Sequence, residues 1–323
     1  MTEFPFDYSD VLEARKFLAT RLMPTRLVHA HSLDEATGAA VWLKLETENP
    51  TASFKVRGAL NSLWRRTQRG RLEGVVTSST GNHGAAVAFA AREMAVPARI
   101  YLPANPNPVK RARIAKLGAE IVEVGRDIVE SRRHAAEFSR ERGWPLIVDV
   151  DDPDICAGAA TIACEILERL PTADVLVVPL GDSCLIRGVA FAARHIRPEI
   201  RVIGVQAEGA PAYFRSWNAH RSLETDSIDT IADGLATRTT TEDNVRQLIR
   251  LVDEIRLVSD EEMLRAVHFL LLNEHAVAEP AGAAATAALL KSGREWAGRN
   301  VAAVVSGANI APEILGRAVS SRL

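Results

Sequence analysis

Residues 74–92 read GVVTSSTGNHGAAVAFAAR, and residues 175–194 read VLVVPLGDSCLIRGVAFAAR. Each stretch opens with a β-branched apolar run, passes through a polar turn, and continues as small and apolar residues at helical spacing. A strand running into a polar turn and then a helix is the βα unit of a parallel sheet. Its turn lies where such sheets place anionic ligands, at the strand's carboxyl end and the helix's amino end. The shared VAFAAR, Val87–Arg92 and Val189–Arg194, follows from packing demand, since small residues let a helix lie close on a sheet. Six residues imply no duplication.

The pattern repeats outward from these two units. Further strands are expected at Val41–Glu46, Gly74–Ser78, Ala98–Leu102, Glu120–Val124, Leu146–Val150, Val175–Leu180, Arg201–Gln206, Ile255–Val258 and Val301–Val305, with helices in the gaps. Strands alternating with helices specify an α/β fold of open, mostly parallel sheets covered on both faces. A helix is expected from Pro108, where a missing N–H does no harm, to Gly118, suited to a left-handed cap. Its Lys110, Arg111, Arg113 and Lys116 read as a solvated face.

At 323 residues the chain exceeds one ordinary core, so two lobes or one large α/β unit are expected. Hydrophobic residues at 47% and charged residues at 25% are those of a globular chain, and no apolar run reaches the ~20 residues of a membrane span. A net charge of −2, with no basic stripe, leaves no footprint for nucleic acid. Cys156, Cys164 and Cys184 lack CxxC spacing and Met1-Thr2-Glu3-Phe4-Pro5 lacks a leader pattern, so a reducing, cytoplasmic setting is expected.

Four polar turns carry chemistry. In Ser78–Gly84 the side chains of Ser78, Ser79, Thr80, Asn82 and His83 can all donate, forming a cup for a carboxylate or phosphate. An ordinary N-cap by Ser79 or Thr80 explains the turn equally well. In Gly181-Asp182-Ser183-Cys184 backbone amides and Ser183 suit a phosphate, provided Asp182 turns away to cap the helix. In Ser53-Phe54-Lys55-Val56-Arg57-Gly58-Ala59 the apolar neighbours of Lys55 favour a desolvated amine able to lose its proton and form a Schiff base. Ser306-Gly307-Ala308-Asn309 is again polar at a strand's end.

Taken together, these residues resemble the fold-type II pyridoxal-phosphate enzymes, and within them the threonine/serine dehydratase and serine racemase group. The likeness covers nearly the whole chain. Ser53–Ala59 is similar to that group's SFKxRGA, and Gly81-Asn82-His83-Gly84 resembles its asparagine loop. Thr230-Ile231-Ala232-Asp233-Gly234 and Glu279-Pro280-Ala281-Gly282-Ala283 also look like its signatures. The resemblance implies pyridoxal 5'-phosphate on Lys55, held by Phe54, Asn82, Gly181, Asp182, Ser183, Cys184, Leu185, Glu279 and Ser306, with Ser306 at the pyridine nitrogen. It implies a substrate carboxylate held by Ser79, Thr80, Gly81, Asn82 and His83. Lys55 and Thr80 are the catalytic candidates, because a hydroxyl at Thr80's place serves racemases, whereas dehydratases tend to carry alanine there.

The chain departs from the group in three places. Of four glycines in the phosphate loop only Gly181 remains. The acidic residues of a divalent-cation site are missing near Gln206–Ala212, with Glu208 the one substitute, so no metal is assigned. His29, His31, His134, His195, His220, His268 and His275 show no ligand spacing, and His83 reads as an orienting residue. The end of the chain soon after Ser306 is read as leaving no room for a C-terminal regulatory domain.

The reaction implied is β-elimination from a β-hydroxy amino acid such as L-threonine or L-serine, giving a 2-oxo acid and ammonia. Three alternatives stay open: a racemase using Lys55 and Thr80, a dehydratase of an unusual hydroxy amino acid of the hydroxyectoine-utilisation kind, and a non-catalytic binding protein. Residues 1–71 with 150–323 are expected to form a large cofactor-binding domain and 72–149 a small one, in a homodimer. Tyr213, Phe214 and Trp217, after Pro211, are expected on a helix that walls the site, joins the core or meets a partner.

Overall fold

The computed structural model describes residues 4–106 and 108–320, so Met1–Glu3 lie outside it, as does the Lys110 side chain. The strands are β1 (Leu27–His29), β2 (Ala40–Leu45), β3 (Val75–Ser78), β4 (Ala98–Leu102), β5 (Glu120–Glu123), β6 (Val175–Pro179), β7 (Arg201–Ala207), β8 (Glu254–Val258) and β9 (Asn300–Val305). The helices are α1 (Tyr8–Leu18), α2 (His31–Thr37), α3 (Lys55–Arg69), α4 (Asn82–Glu93), α5 (Pro108–Lys116), α6 (Ile128–Arg142), α7 (Pro153–Arg169), α8 (Cys184–Ile196), α9 (Ala212–Ala219), α10 (Glu242–Leu251), α11 (Asp260–Asn273), α12 (Pro280–Ser292) and α13 (Pro312–Ser320).

Two sheets result. The larger runs β1-β2-β9-β6-β7-β8, parallel except for β1 at its edge, and the smaller is the parallel β3-β4-β5. The central strands β6 and β9 are apolar, Asn300 apart, because both of their faces are covered. Leu176, Val178, Ala302 and Val304 enter one core, while Val175, Val177, Val301, Ala303 and Val305 enter the other.

Two sequence expectations change. Leu146–Val150 forms no strand: Leu146 makes a single parallel bridge to Val76, with Pro145 accepting from the Val76 amide at 3.1 Å and Ile147 donating back at 2.8 Å. Pro145 has no N–H of its own, and the acidic run from Asp149 leaves the sheet. Conversely β1 was not expected, since three residues give too little alternation to read.

Helix α3 is docked on α7 by bare backbone. A Cβ on Gly58 would lie 2.5 Å from Ile155 Cγ2, and one on Gly158 2.6 Å from the Arg57 carbonyl. Beside this contact the fully buried Arg57 grips Glu46 (2.7 and 2.9 Å) and Glu165 (2.6 and 2.9 Å) with both arms of its guanidinium. Burial alone would lower the Arg57 pKa and raise that of Glu46, but the mutual pairing moves both the other way and keeps both charged. The first turn of α3 is thereby fixed at the carboxyl end of the sheet.

Candidate active site

The turn after β9 and the turn before α3 are stitched together. Ser53 and Gly307 form an antiparallel bridge, the Phe54 amide donates to the Ser306 carbonyl at 3.0 Å, and the Ala308 amide donates to Ala52 at 2.9 Å. Lys55, the first residue of α3, therefore stands beside Ser306, itself buried. The Lys55 side chain is 13% exposed, with Nζ 2.6 Å from Asp149 Oδ2 and 2.6 Å from Asp182 Oδ2.

Lys55 is desolvated as the sequence reading expects, but two carboxylates on its amine oppose the proton loss that desolvation alone would favour. Burial does press the Lys55 pKa down, yet Asp149 and Asp182 outweigh it and hold the ammonium well above its ordinary range. Asp149 is opposed by burial but pushed down by His83 and Lys55. Burial and the neighbouring Asp149 push Asp182 up. A carboxyl pair around one amine can thus share a proton.

Asn82 opens α4 after Gly81, and no side chain caps that helix, so the capping role considered for Ser79 or Thr80 is not taken up. Ser79 Oγ instead accepts from the Gly81 amide at 3.3 Å, and half-buried Thr80 makes no side-chain hydrogen bond among the described residues. Asn82 Nδ2 donates to Glu279 Oε1 at 2.6 Å, and Asn309 Nδ2 donates to Asn82 Oδ1 at 2.5 Å. Glu279, the N-cap of α12, returns its amide to the Gly307 carbonyl at 3.0 Å. His83 turns inward, donating from Nε2 to the Ile147 carbonyl at 3.1 Å with Nδ1 3.5 Å from Asp149. It orients rather than lines the turn.

The loop after β6 explains its single glycine. A Cβ at Gly181 would stand 2.1 Å from the Gly234 carbonyl, which ties the Thr230–Gly234 signature to this loop. Ser183 sits at φ 75° in the left-handed region, where a glycine is easier. It is held there by donating to Tyr213 Oη at 3.2 Å and accepting from Arg187 Nε at 3.1 Å, while Tyr213 donates to the Asp182 carbonyl at 3.3 Å. Asp182 Oδ1 accepts from the Cys184 amide at 3.1 Å, the capping turn its position demands. Leu185 and Cys184 are buried, and Cys184 Sγ lies 3.3 Å from the free thiol of Cys156. That contact and burial raise the Cys184 pKa, so its sulfur packs rather than reacts.

Asp149, Arg187 and Tyr213 complete the site. Tyr213 was singled out only as a wall, core or partner-facing residue. Asp149 carried one signal, a carboxylate at the end of an expected strand, and Arg187 carried one too, a cation inside an apolar helix. Phe214 and Trp217 pack against the core. At the expected cation position Gln206 Oε1 accepts from the Phe214 amide, and exposed Glu208 pairs with Lys291 at 3.3 Å.

A phosphate-bearing aldehyde fits these residues. Gly307 is bare where a Cβ would come within 2.5 Å of Glu279 Oε1 and 3.4 Å of Asn82 Nδ2. Ser78 Oγ is buried without a partner, and α8 starts with no side-chain cap at Ser183 and no acidic residue in its first turn. One primary amine, one helix amino terminus whose Cys184 amide Asp182 now holds, and one neutral hydroxyl at Ser306 are the functional groups that such a molecule needs.

Residues 18–307 match the model of a family described as pyridoxal-phosphate dependent enzyme. The chain is 35% identical over 314 residues to L-threonine ammonia-lyase of Thermotoga maritima, covering 97% of this chain and 78% of that one. It is 32% identical to L-threo-3-hydroxyaspartate ammonia-lyase of Saccharomyces cerevisiae, covering 94% and 93%. The structure of maize serine racemase superimposes with a TM-score of 0.92 at 30% identity, covering 97% of each chain.

Proposed function

The chain belongs to the family of pyridoxal-phosphate-dependent enzymes, and from that premise we propose that it dehydrates and deaminates a β-hydroxy amino acid, L-threonine or L-serine, to a 2-oxo acid and ammonia. The observation that carries this reading is the position of Lys55 Nζ, one buried amine at the meeting of the 306–309 turn, the 181–185 loop and Asp149. No helix among the described residues is long and apolar enough to cross a membrane, and the substrate is a small molecule.

Pyridoxal phosphate, when bound, supplies an electron sink that weakens the substrate's Cα–H bond and lets the β-hydroxyl depart. In this reading Lys55 carries it, the amides of Gly181–Leu185 hold its phosphate, and Phe54, Asn82 and Glu279 flank it. Asp182 releases the Cys184 amide to do so. Ser306 offers the pyridine nitrogen a neutral hydroxyl rather than a carboxylate. Lys55 Nζ, once unprotonated, is the base that takes the Cα proton. The side chains of Ser79, Thr80 and Asn82 and the backbone amides of Gly81 and His83 surround the substrate carboxylate with donors, while the His83 ring holds the turn from behind. The lobe of residues 72–149 then closes on the lobe of 1–71 and 150–323 and excludes water. A homodimer in a reducing cytoplasm completes the proposal.

The test is to mix the loaded enzyme with L-threonine and L-serine and measure 2-oxo acid and ammonia. Equal amounts of both products, lost in Lys55→Ala, are expected; neither product from either amino acid contradicts the substrate class. A second reading, racemisation by Lys55 and Thr80, is favoured by the half-buried Thr80 hydroxyl with no side-chain bond among the described residues and by the likeness to a serine racemase. D-serine formation lost in Thr80→Ala would select it.

A further inference from the structure

A cluster of three side chains able to ligate a metal lies at the β1 edge of the large sheet. His29 ends β1, and His31 and Asp34 lie on α2. One donor atom from each falls within 4.8 Å of the others. Trp42 pairs with His29 across the β1–β2 ladder, three residues before β2 ends at Leu45, so the trio stands about 10 Å along the strand from the level of Lys55.

Several details set this trio apart from an ordinary histidine–carboxylate pair. His29 Nε2 is buried and 2.8 Å from Asp34 Oδ2, yet it makes no hydrogen bond among the described residues, so the carboxylate lies off its N–H direction. The ring is fixed by stacking on Trp42, centroids 4.7 Å apart at 17°. Asp34 Oδ1 accepts from the Val41 amide at 2.7 Å, which orients Oδ2 toward both histidines. His31 Nδ1 stands 3.8 Å from that oxygen. Glu274 adds negative charge near His31 and Asp34, and its buried Oε1 has no hydrogen-bond partner among the described residues.

We propose that His29, His31 and Asp34 form a binding site for a divalent transition cation, zinc in particular, remote from the catalytic amine. Two imidazoles and a carboxylate are the donor set zinc takes with a water in fourth place. Donors at about 2.0–2.2 Å from a tetrahedral ion are roughly 3.3–3.5 Å apart, so separations of 2.8 and 3.8 Å need shifts of about half an ångström. The Val41 amide and Trp42 act as the supports that orient ligands. Sequence spacing hides the trio because it spans a strand end and a helix start rather than one repeat.

The test uses the loaded full-length enzyme stripped with a chelating resin. Cobalt(II) is titrated while its visible absorption is followed, and zinc is then used to displace it. One equivalent with the intense bands of tetrahedral cobalt is expected, displaced by one equivalent of zinc that also raises the unfolding temperature. His31→Ala, at a side chain 81% exposed, leaves the fold alone and should weaken binding at least tenfold and abolish the thermal shift. Asp34→Asn keeps an acceptor for Val41 and should do the same. No cobalt band, or His31→Ala binding as tightly as the unaltered chain, overturns the proposal.

Discussion

Lys55 shows what one residue's surroundings add to a motif. The sequence reading singles out Lys55 as an apolar-flanked lysine beside polar turns, and the roles proposed for Lys55, Asn82 and Ser306 come from the resemblance to the dehydratase and racemase group. Its charge state was not, because Asp149 and Asp182 reach it from 94 and 127 residues away. An amine held protonated must lose its proton before it can take up the cofactor. Uptake by cofactor-free enzyme should therefore accelerate as pH rises from 7 toward 10. Asp182→Asn removes one carboxylate, lowers the Lys55 pKa, and should speed uptake at pH 7 about tenfold, one unit's worth. Stopped-flow absorbance reads both; a flat profile identical in the variant would contradict the electrostatic assignment.

The elements were legible where physics is local. β6 and β9, buried on both faces, are valine-rich apolar runs and were read to within one residue, and the half-buried β4 was read with its observed bounds. The buried ion network under α3 was not, since charged residues in a sequence read as surface. Arg57→Met leaves Glu46 without its cation and Glu165 with Lys44 alone, and should cost about 3–5 kcal/mol in urea unfolding; a loss under 1 kcal/mol would show the network to be dispensable. The sign with pH follows from Glu46, whose pKa burial raises but Arg57 lowers below its ordinary value. Its contribution is present above about pH 4.3, and is lost as pH falls through the lower folded value. Gly158→Ala forces α3 off α7 and should cost about 1–3 kcal/mol.

Across the whole molecule the two sheets meet through few polar bonds. Asn82 on the small sheet's turn reaches Glu279 and Asn309, and Asp149 reaches Lys55. The α/β class was legible from alternation, while the division into two units came from the resemblance; how the sheets meet was not legible, because it rests on turns without periodicity. If the small lobe closes on a carboxylate, amides of residues 79–84 should gain hydrogen-exchange protection when L-serine is added, and unchanged exchange would argue against closure. The central claim remains the assignment of one lysine. Lys44 is also buried, but it pairs with Glu165 at 2.5 Å, and Lys16, Lys110, Lys116 and Lys291 complete the set. The loaded enzyme should be reduced with borohydride, digested and mapped by mass spectrometry. A pyridoxyl group on the peptide containing Lys55 is the expected result; the group on any other lysine, or on none, would contradict it.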